Sequence, residues 1–222
     1  MRIAAFETSA EWCSVALWID GEIGALEQRA GHRHTELALP MLERLLTNSG
    51  LAVADLDAIA FGAGPGSFTG LRIACGIAQG LAMARGLPVL GVSTLDAIAE
   101  ESGALRVVVC VDARMREVYY ACLERSDRVW RAAISPRCIP PAAVVPPPGA
   151  GWVGCGNGFS AYPELQECVG GRVLPQVHPS AVAVARLAAP RLAHGEGVDA
   201  ALAAPDYLRD KVAMTIEERG GR

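Results

Sequence analysis

IAAFETSAEWCSVALW (residues 3–18) and VVVCVDARMREVYYAC (residues 107–122) share one plan: an apolar strand closing on an acid, a short polar turn, then a second β-rich run. An offset of 105 positions lays Asp112 on Glu7 and Ala121 on Ala16, close to half of the 222-residue chain. Two copies of such a unit imply two similar α/β halves, 1–103 and 104–222. The alternative is that any two antiparallel hairpins look alike.

Outward from the first copy, the pattern predicts a strand over 22–28 and a helix over 35–49, whose apolar positions are Leu37, Met41, Leu42, Leu45 and Leu46. Pro40 inside that helix implies a kink or a late start. A strand over 56–61, a glycine loop, a helix over 70–85, a short strand over 88–92 and a helix from Ser93 or Thr94 follow. The second half is less regular: after its hairpin come a proline-rich connection (136–148), an apolar GWVGCGNG run, a helix over 180–194 and a tail, PDYLRDKVAMT. Pro146, Pro147 and Pro148 argue against a strand there. Three strands, a helix, a strand, a helix, a strand and a helix, twice over, is the plan shared by actin and the sugar kinases. In that plan the acid ending the first strand of each half faces the interdomain cleft, where it commonly holds a metal-bound water near a nucleotide phosphate. Glu7 and Asp112 occupy those places.

The glycine loop opens GAGPGSFTGLRIACGIAQGLA (residues 62–82). No lysine follows Gly70, and Ser67 stands where a dinucleotide loop would close its glycine pattern, so neither phosphate-binding motif is complete. Gly66 and Gly70 permit a sharp turn at a strand end, and Ser67 or Thr69 can cap the next helix. Its amides could also meet an anion. Glu7, Thr8, Ser9, Gly64, Gly66, Ser67 and Asp112 are thus the candidate remnants of a nucleotide site. On the helix itself, Ile73, Ile77 and Leu81 form one stripe and Gly76, Gly80 and Ala84 another at i, i+4 spacing. These small residues either pack internally or let a helix approach closely. The second reading makes Leu37, Met41, Leu45, Ile73, Gly76, Ile77, Gly80 and Ala84 a partner surface.

With a net charge of −4, the chain has no overall field for gripping a phosphate backbone, so any nucleic-acid role would rest on a local patch or on a partner. Nineteen of the twenty basic residues are arginine, Lys211 being the exception, which reads as compositional bias. Seven cysteines without a C-x-x-C, mostly inside apolar runs, read as buried reduced thiols of a cytosolic protein. No signal peptide and no run of about 18 apolar residues is apparent. His32 and His34 form an H-x-H ahead of the 35–49 helix, where a loop or helix-start role is expected, and His178 before Pro179 reads as part of a turn.

GAGPGSFTGLR, AAFETSAEWCSVAL, HTELALPML, VDARMREVYYA and YLRDKVA, spread over essentially the whole chain, closely resemble the TsaB family. That resemblance implies the actin and sugar-kinase fold and a role in making threonylcarbamoyladenosine beside the tRNA anticodon. It implies a TsaD-like transferase partner and a TsaE-like ATPase, with tRNA reached through the complex. ATP and a metal ion are then expected on the partner subunits and no cofactor on this one. TsaD carries paired metal histidines, H-x-x-x-H, after the strand following the glycine-loop helix; the matching stretch here, GVSTLDAIAE (residues 91–100), has none. The resemblance therefore implies a subunit without catalytic residues or a metal of its own, able to pair with itself when its partner is absent. One departure stands out: the family's D-T-S is Glu7-Thr8-Ser9, whose carboxylate is one methylene further out. Two other functions remain in view. A metallopeptidase would need three protein ligands and an open position on a metal, and a sugar-kinase-like phosphotransferase would need acids at both strand ends with phosphate-binding amides.

Overall fold

The computed structural model describes residues 1–127 and 129–209. The first half runs β1 (Arg2–Glu7), β2 (Trp12–Ile19), β3 (Glu22–Arg29), α1 (His34–Asn48), β4 (Ala58–Gly64), α2 (Phe68–Met83), β5 (Val89–Ser93) and α3 (Thr94–Glu101). The second runs β6 (Arg106–Asp112), β7 (Val118–Ser126), β8 (Val129–Ile139), β9 (Val153–Cys155), α4 (Gly158–Ala161), α5 (Leu165–Val169), β10 (Val173–Leu174) and α6 (Ala181–Ala193). The sheets are ordered β3-β2-β1-β4-β5 and β8-β7-β6-β9-β10, with the first three strands antiparallel and the last two joined in parallel. One order used twice is the duplication that the two hairpins imply, and it is the actin and sugar-kinase plan.

Registers refine the match. Glu7 pairs with Ser14 and Asp112 with Val118, so the repeat holds at 105 along the first strands but shortens by one residue across the second turn. Ala16, opposite Ala5, therefore corresponds to Tyr120, opposite Cys110, rather than to Ala121.

β4 throughout, and β1 between Arg2 and Glu7, are apolar because both their faces are covered. Phe6, Val15, Leu17, Ile59 and Phe61 point to the side where α1 and α2 pack, with Leu42, Ala74 and Ala78 among the facing side chains. Ile3, Ala5, Ala16 and Ala60 point the other way, onto Val184, Ala185 and Ala188 of α6. A helix from the far end of the chain thus closes the first sheet, so packing does not follow the 1–103 and 104–222 division. α3 joins the layers: Ala97 enters the first-sheet cluster with α6, while Leu95 and Ile98 enter the second with Val107 and Val109. The opposite face of the second sheet, with Val108, Cys110 and Tyr120, is covered by Phe159 and Leu165.

The elements read in the first half, and α6 in the second, fall within a few residues of the sequence reading, whereas α4, α5 and β10 have no counterpart in it. α1 starts at His34 and continues through Pro40. β8 is an edge strand with register shifts, a setting that tolerates Pro136, and it was hidden in the connection ahead of the proline run. The YLRDKVA match continues past residue 209, and its residues 210–213 lie outside the described residues.

Candidate functional site

The glycine loop is closed by its own chain. Ser67 caps α2, its Oγ accepting from the Gly70 amide at 3.3 Å. The Ser67 amide donates to the Ser9 carbonyl at 2.9 Å, and the Thr8 hydroxyl donates to the Gly70 carbonyl at 2.7 Å. A Cβ at Gly70 would overlap the Thr8 carbonyl oxygen, and one at Gly66 would lie 2.7 Å from the Ser9 Cβ. At Gly64, in the left-handed region with φ of +123°, a Cβ would sit 2.5 Å from the Asp206 carbonyl oxygen. Each glycine answers to a close approach of backbone to backbone.

The two candidate acids are arranged differently. Glu7 is 1% exposed; its Oε1 accepts the Ser9 amide at 2.6 Å, its Oε2 has no partner among the described residues, and any Cβ at Gly62 would collide with it. Burial raises its pKa above the ordinary value of 4.5, against the lowering effect of the Ser9 hydrogen bonds. Asp112 accepts the Arg114 amide at 2.9 Å and the Tyr162 hydroxyl at 3.3 Å, and pairs with the Arg114 guanidinium at 3.2 Å. Between the two strand ends runs a strap, residues 206–209. The Asp206 amide donates to the Ala63 carbonyl at 2.7 Å, and Arg209 donates to the Ala113 carbonyl at 3.0 Å and pairs with Glu117. The chain itself therefore bridges the glycine loop of one half and the β6–β7 turn of the other, a contact no sequence pattern signalled. On the strap, Tyr207 packs on Phe68 with ring centroids 5.6 Å apart, and the Arg72 guanidinium lies 3.3 Å above the Phe68 ring.

The α1–α2 face has another character. Gly70, Leu71, Ala74, Cys75, Ala78 and Ala82 of α2 are buried against the sheet, whereas Gly76, Gly80 and Ala84 are exposed and Ile73 and Ile77 half-buried. A Cβ at Gly76 or Gly80 would find nothing within 4 Å, so this stripe looks outward. Leu37 and Met41 of α1 are half-buried, packed against the same core as Ile77. Leu45, by contrast, is 7% exposed and belongs to the core itself. Its departure from the surface is geometric, because positions four apart rotate about 40° per step around a helix of about 3.6 residues per turn.

His34 starts α1, buried, with Nε2 3.0 Å from the Ala10 carbonyl. His178 does more than turn the chain: its ring stacks on Trp12 at 5.1 Å, its Nε2 meets Glu27 at 3.0 Å, and its Nδ1 meets the Gln176 carbonyl at 3.2 Å. Among the described residues no three His, Cys, Asp or Glu gather as a metal-binding group, and no helix is long and apolar enough to cross a membrane. Five of the seven cysteines are buried and none is paired; burial lifts the Cys13 thiol to about 11, with help from the Glu7 charge, and the Cys155 thiol to about 12.

The chain matches the family model described as TsaD, tRNA N6-adenosine threonylcarbamoyltransferase, over residues 22–217. It is 41% identical to the tRNA threonylcarbamoyladenosine biosynthesis protein TsaB of Escherichia coli, over 96% of each chain. It is 37% identical to the TsaB protein of Haemophilus influenzae, over 96% of this chain and 95% of that one. The solved structure of YeaZ from Pseudomonas aeruginosa superimposes with a TM-score of 0.87 at 42% identity, covering 93% of this chain and 99% of the other. With sequence, topology and near-complete coverage in agreement, the chain belongs to the TsaB family of tRNA threonylcarbamoyladenosine biosynthesis proteins.

Proposed function

We propose that this chain is a cytoplasmic, non-catalytic subunit that binds and supports a TsaD-like transferase through the outward face of α1 and α2. The carrying observation is the open stripe of Gly76 and Gly80 beside Ile73 and Ile77, a shape that admits a partner helix at close range. The same segments that would form a nucleotide cradle support the non-catalytic reading, since Thr8 and Ser9 pack into the glycine loop and the strap joins the two halves in front of it. ATP and a metal ion then act on the TsaD-like and TsaE-like subunits, and tRNA is modified by the assembly. With no partner present, the exposed face is available to a second copy of this chain.

The test is co-purification with a TsaD-like subunit, followed by a threonylcarbamoyl transfer assay with and without this chain. The expected result is a stable pair, transfer that depends on both chains, and no transfer or peptide cleavage by this chain alone. Chelator-sensitive activity in a preparation free of the transferase subunit would overturn the reading.

A further inference from the structure

Three features lie together at the mouth between the two halves, where Phe68 and Arg72 continue the Gly76–Gly80 stripe past its N-terminal end at the same spacing of four. Phe68 and Tyr207 are large aromatic side chains left 38% and 40% exposed, with the Arg72 guanidinium stacked on the Phe68 ring and 5.7 Å from that of Tyr207. Two residues beyond Tyr207, at most about 7 Å along the chain, Arg209 holds the β6–β7 turn through the Ala113 and Arg114 carbonyls and lies 3.7 Å from the Met115 sulfur. In that turn Arg114, Met115 and Arg116 all have left-handed backbones, with φ of +61°, +53° and +60°, a conformation that residues with a Cβ rarely take in succession. Asp112, Glu117 and Arg209 fix this strained shape, and its side chains point outward: Met115 is 47% exposed, and the Arg114 side chain is 86% exposed even while paired with Asp112.

We propose that Phe68, Arg72, Tyr207 and the Arg114–Met115–Arg116 turn form a contact surface for unpaired RNA nucleotides, the aromatic rings stacking on bases and the turn arginines meeting phosphates. The inference rests on the proposed membership of a tRNA-modifying assembly and specifies where this subunit touches the RNA. Asp112, Glu117 and Asp206 lie nearby and moderate the positive charge, so the surface adds to binding by an assembly and gives only weak affinity alone. An acidic peptide would engage the arginines but has no use for the part-exposed Phe68 and Tyr207 rings, which a nucleobase does.

The probe is a fluorescently labelled anticodon stem-loop RNA, titrated with the full chain at about 50 mM salt and upward, beside a blunt RNA duplex and poly-glutamate. The wild type should bind the stem-loop at low salt. Tyr207→Ala should weaken the stem-loop about tenfold and leave the duplex unchanged. Arg114→Gln with Arg116→Gln should weaken both RNAs and lower the slope of log K against log salt by about 0.7 per lost phosphate contact. Melting temperature and capture of the TsaD-like subunit, measured on the same variants, should not change, because none of these residues lies on the α1–α2 face. If wild type fails to bind the stem-loop at low salt, if the variants bind like wild type, or if poly-glutamate displaces it with no effect of Tyr207→Ala, the proposal is wrong. Failure of wild type to capture the TsaD-like subunit, with the RNA results intact, would instead remove the subunit reading and leave the RNA surface standing.

Discussion

Gly80→Leu separates a partner face from a packed core by the sign of two measurements. Glycine in a helix interior costs about 0.8–1 kcal/mol relative to alanine, and leucine recovers nearly all of it. At Gly80 nothing lies within 4 Å of the new Cβ, so no packing penalty opposes that gain. A protein of this size shifts by about 2–4 °C per kcal/mol, so the isolated variant should melt about 2–3 °C above wild type. Against a partner the leucine has to fit where a glycine allowed close approach, and overpacking costs typically about 1–3 kcal/mol. Association with the TsaD-like subunit should therefore weaken roughly ten- to a hundred-fold. Thermal melting and titration calorimetry on the same preparation give both numbers. A lower melting temperature would mean that the face is internal core; a higher one with unchanged binding would mean that the partner sits elsewhere.

Gly70→Ala should act in the opposite sense on the fold, losing about 1–3 kcal/mol because its Cβ overlaps the Thr8 backbone; a melt like wild type would show that the loop is not so tightly packed. Glu7→Gln tests the buried acid. A pKa raised in the folded state means that Glu7 contributes stability below 4.5 and loses it as pH rises through its folded value, so the variant should melt higher than wild type at pH 7 and equally near pH 4. Equal pH profiles would refute that. His178 faces acceptors on both ring nitrogens: the Glu27 carboxylate raises its pKa, burial opposes this, and the Gln176 carbonyl adds to the rise. Its stabilisation is complete below 6.5 and fades as pH rises through the raised value, so wild type should lose melting temperature over that window and His178→Gln should not.

Much of the fold is legible because its cause is local. An apolar run ending in an acid, followed by a turn and a second β-rich run, marks strands buried on both faces, and the two hairpins reveal the duplication that the sheet orders display. What escapes is what depends on distant neighbours. β8 carries polar residues and Pro136 because one of its edges is unpaired, so its sequence reads as a connection. α6 shows its apolar face but not which sheet that face covers. Leu45 shares a stripe with Leu37 and Met41 on paper and rotates inward over two helical steps. The strap was invisible for the same reason: Arg209 meets Ala113 and Glu117 only because two distant chain segments arrive at one cleft.

The glycines show how residues of one type divide into different jobs. Gly66 and Gly70 sit in the motif that most resembles a phosphate cradle, yet the space beside each is filled by Ser9 and Thr8. Had a ligand required that space, a Cβ there would meet a cavity instead of backbone. Gly76 and Gly80, six and ten residues beyond Gly70 on the same helix, have no neighbour within 4 Å of a Cβ, although helix propensity disfavours glycine at both positions. Internal packing explains the first pair completely and the second not at all. The loop that first suggests a nucleotide packs α2 against β1, and the open helix face is the surface on which the proposed partner is to be tested.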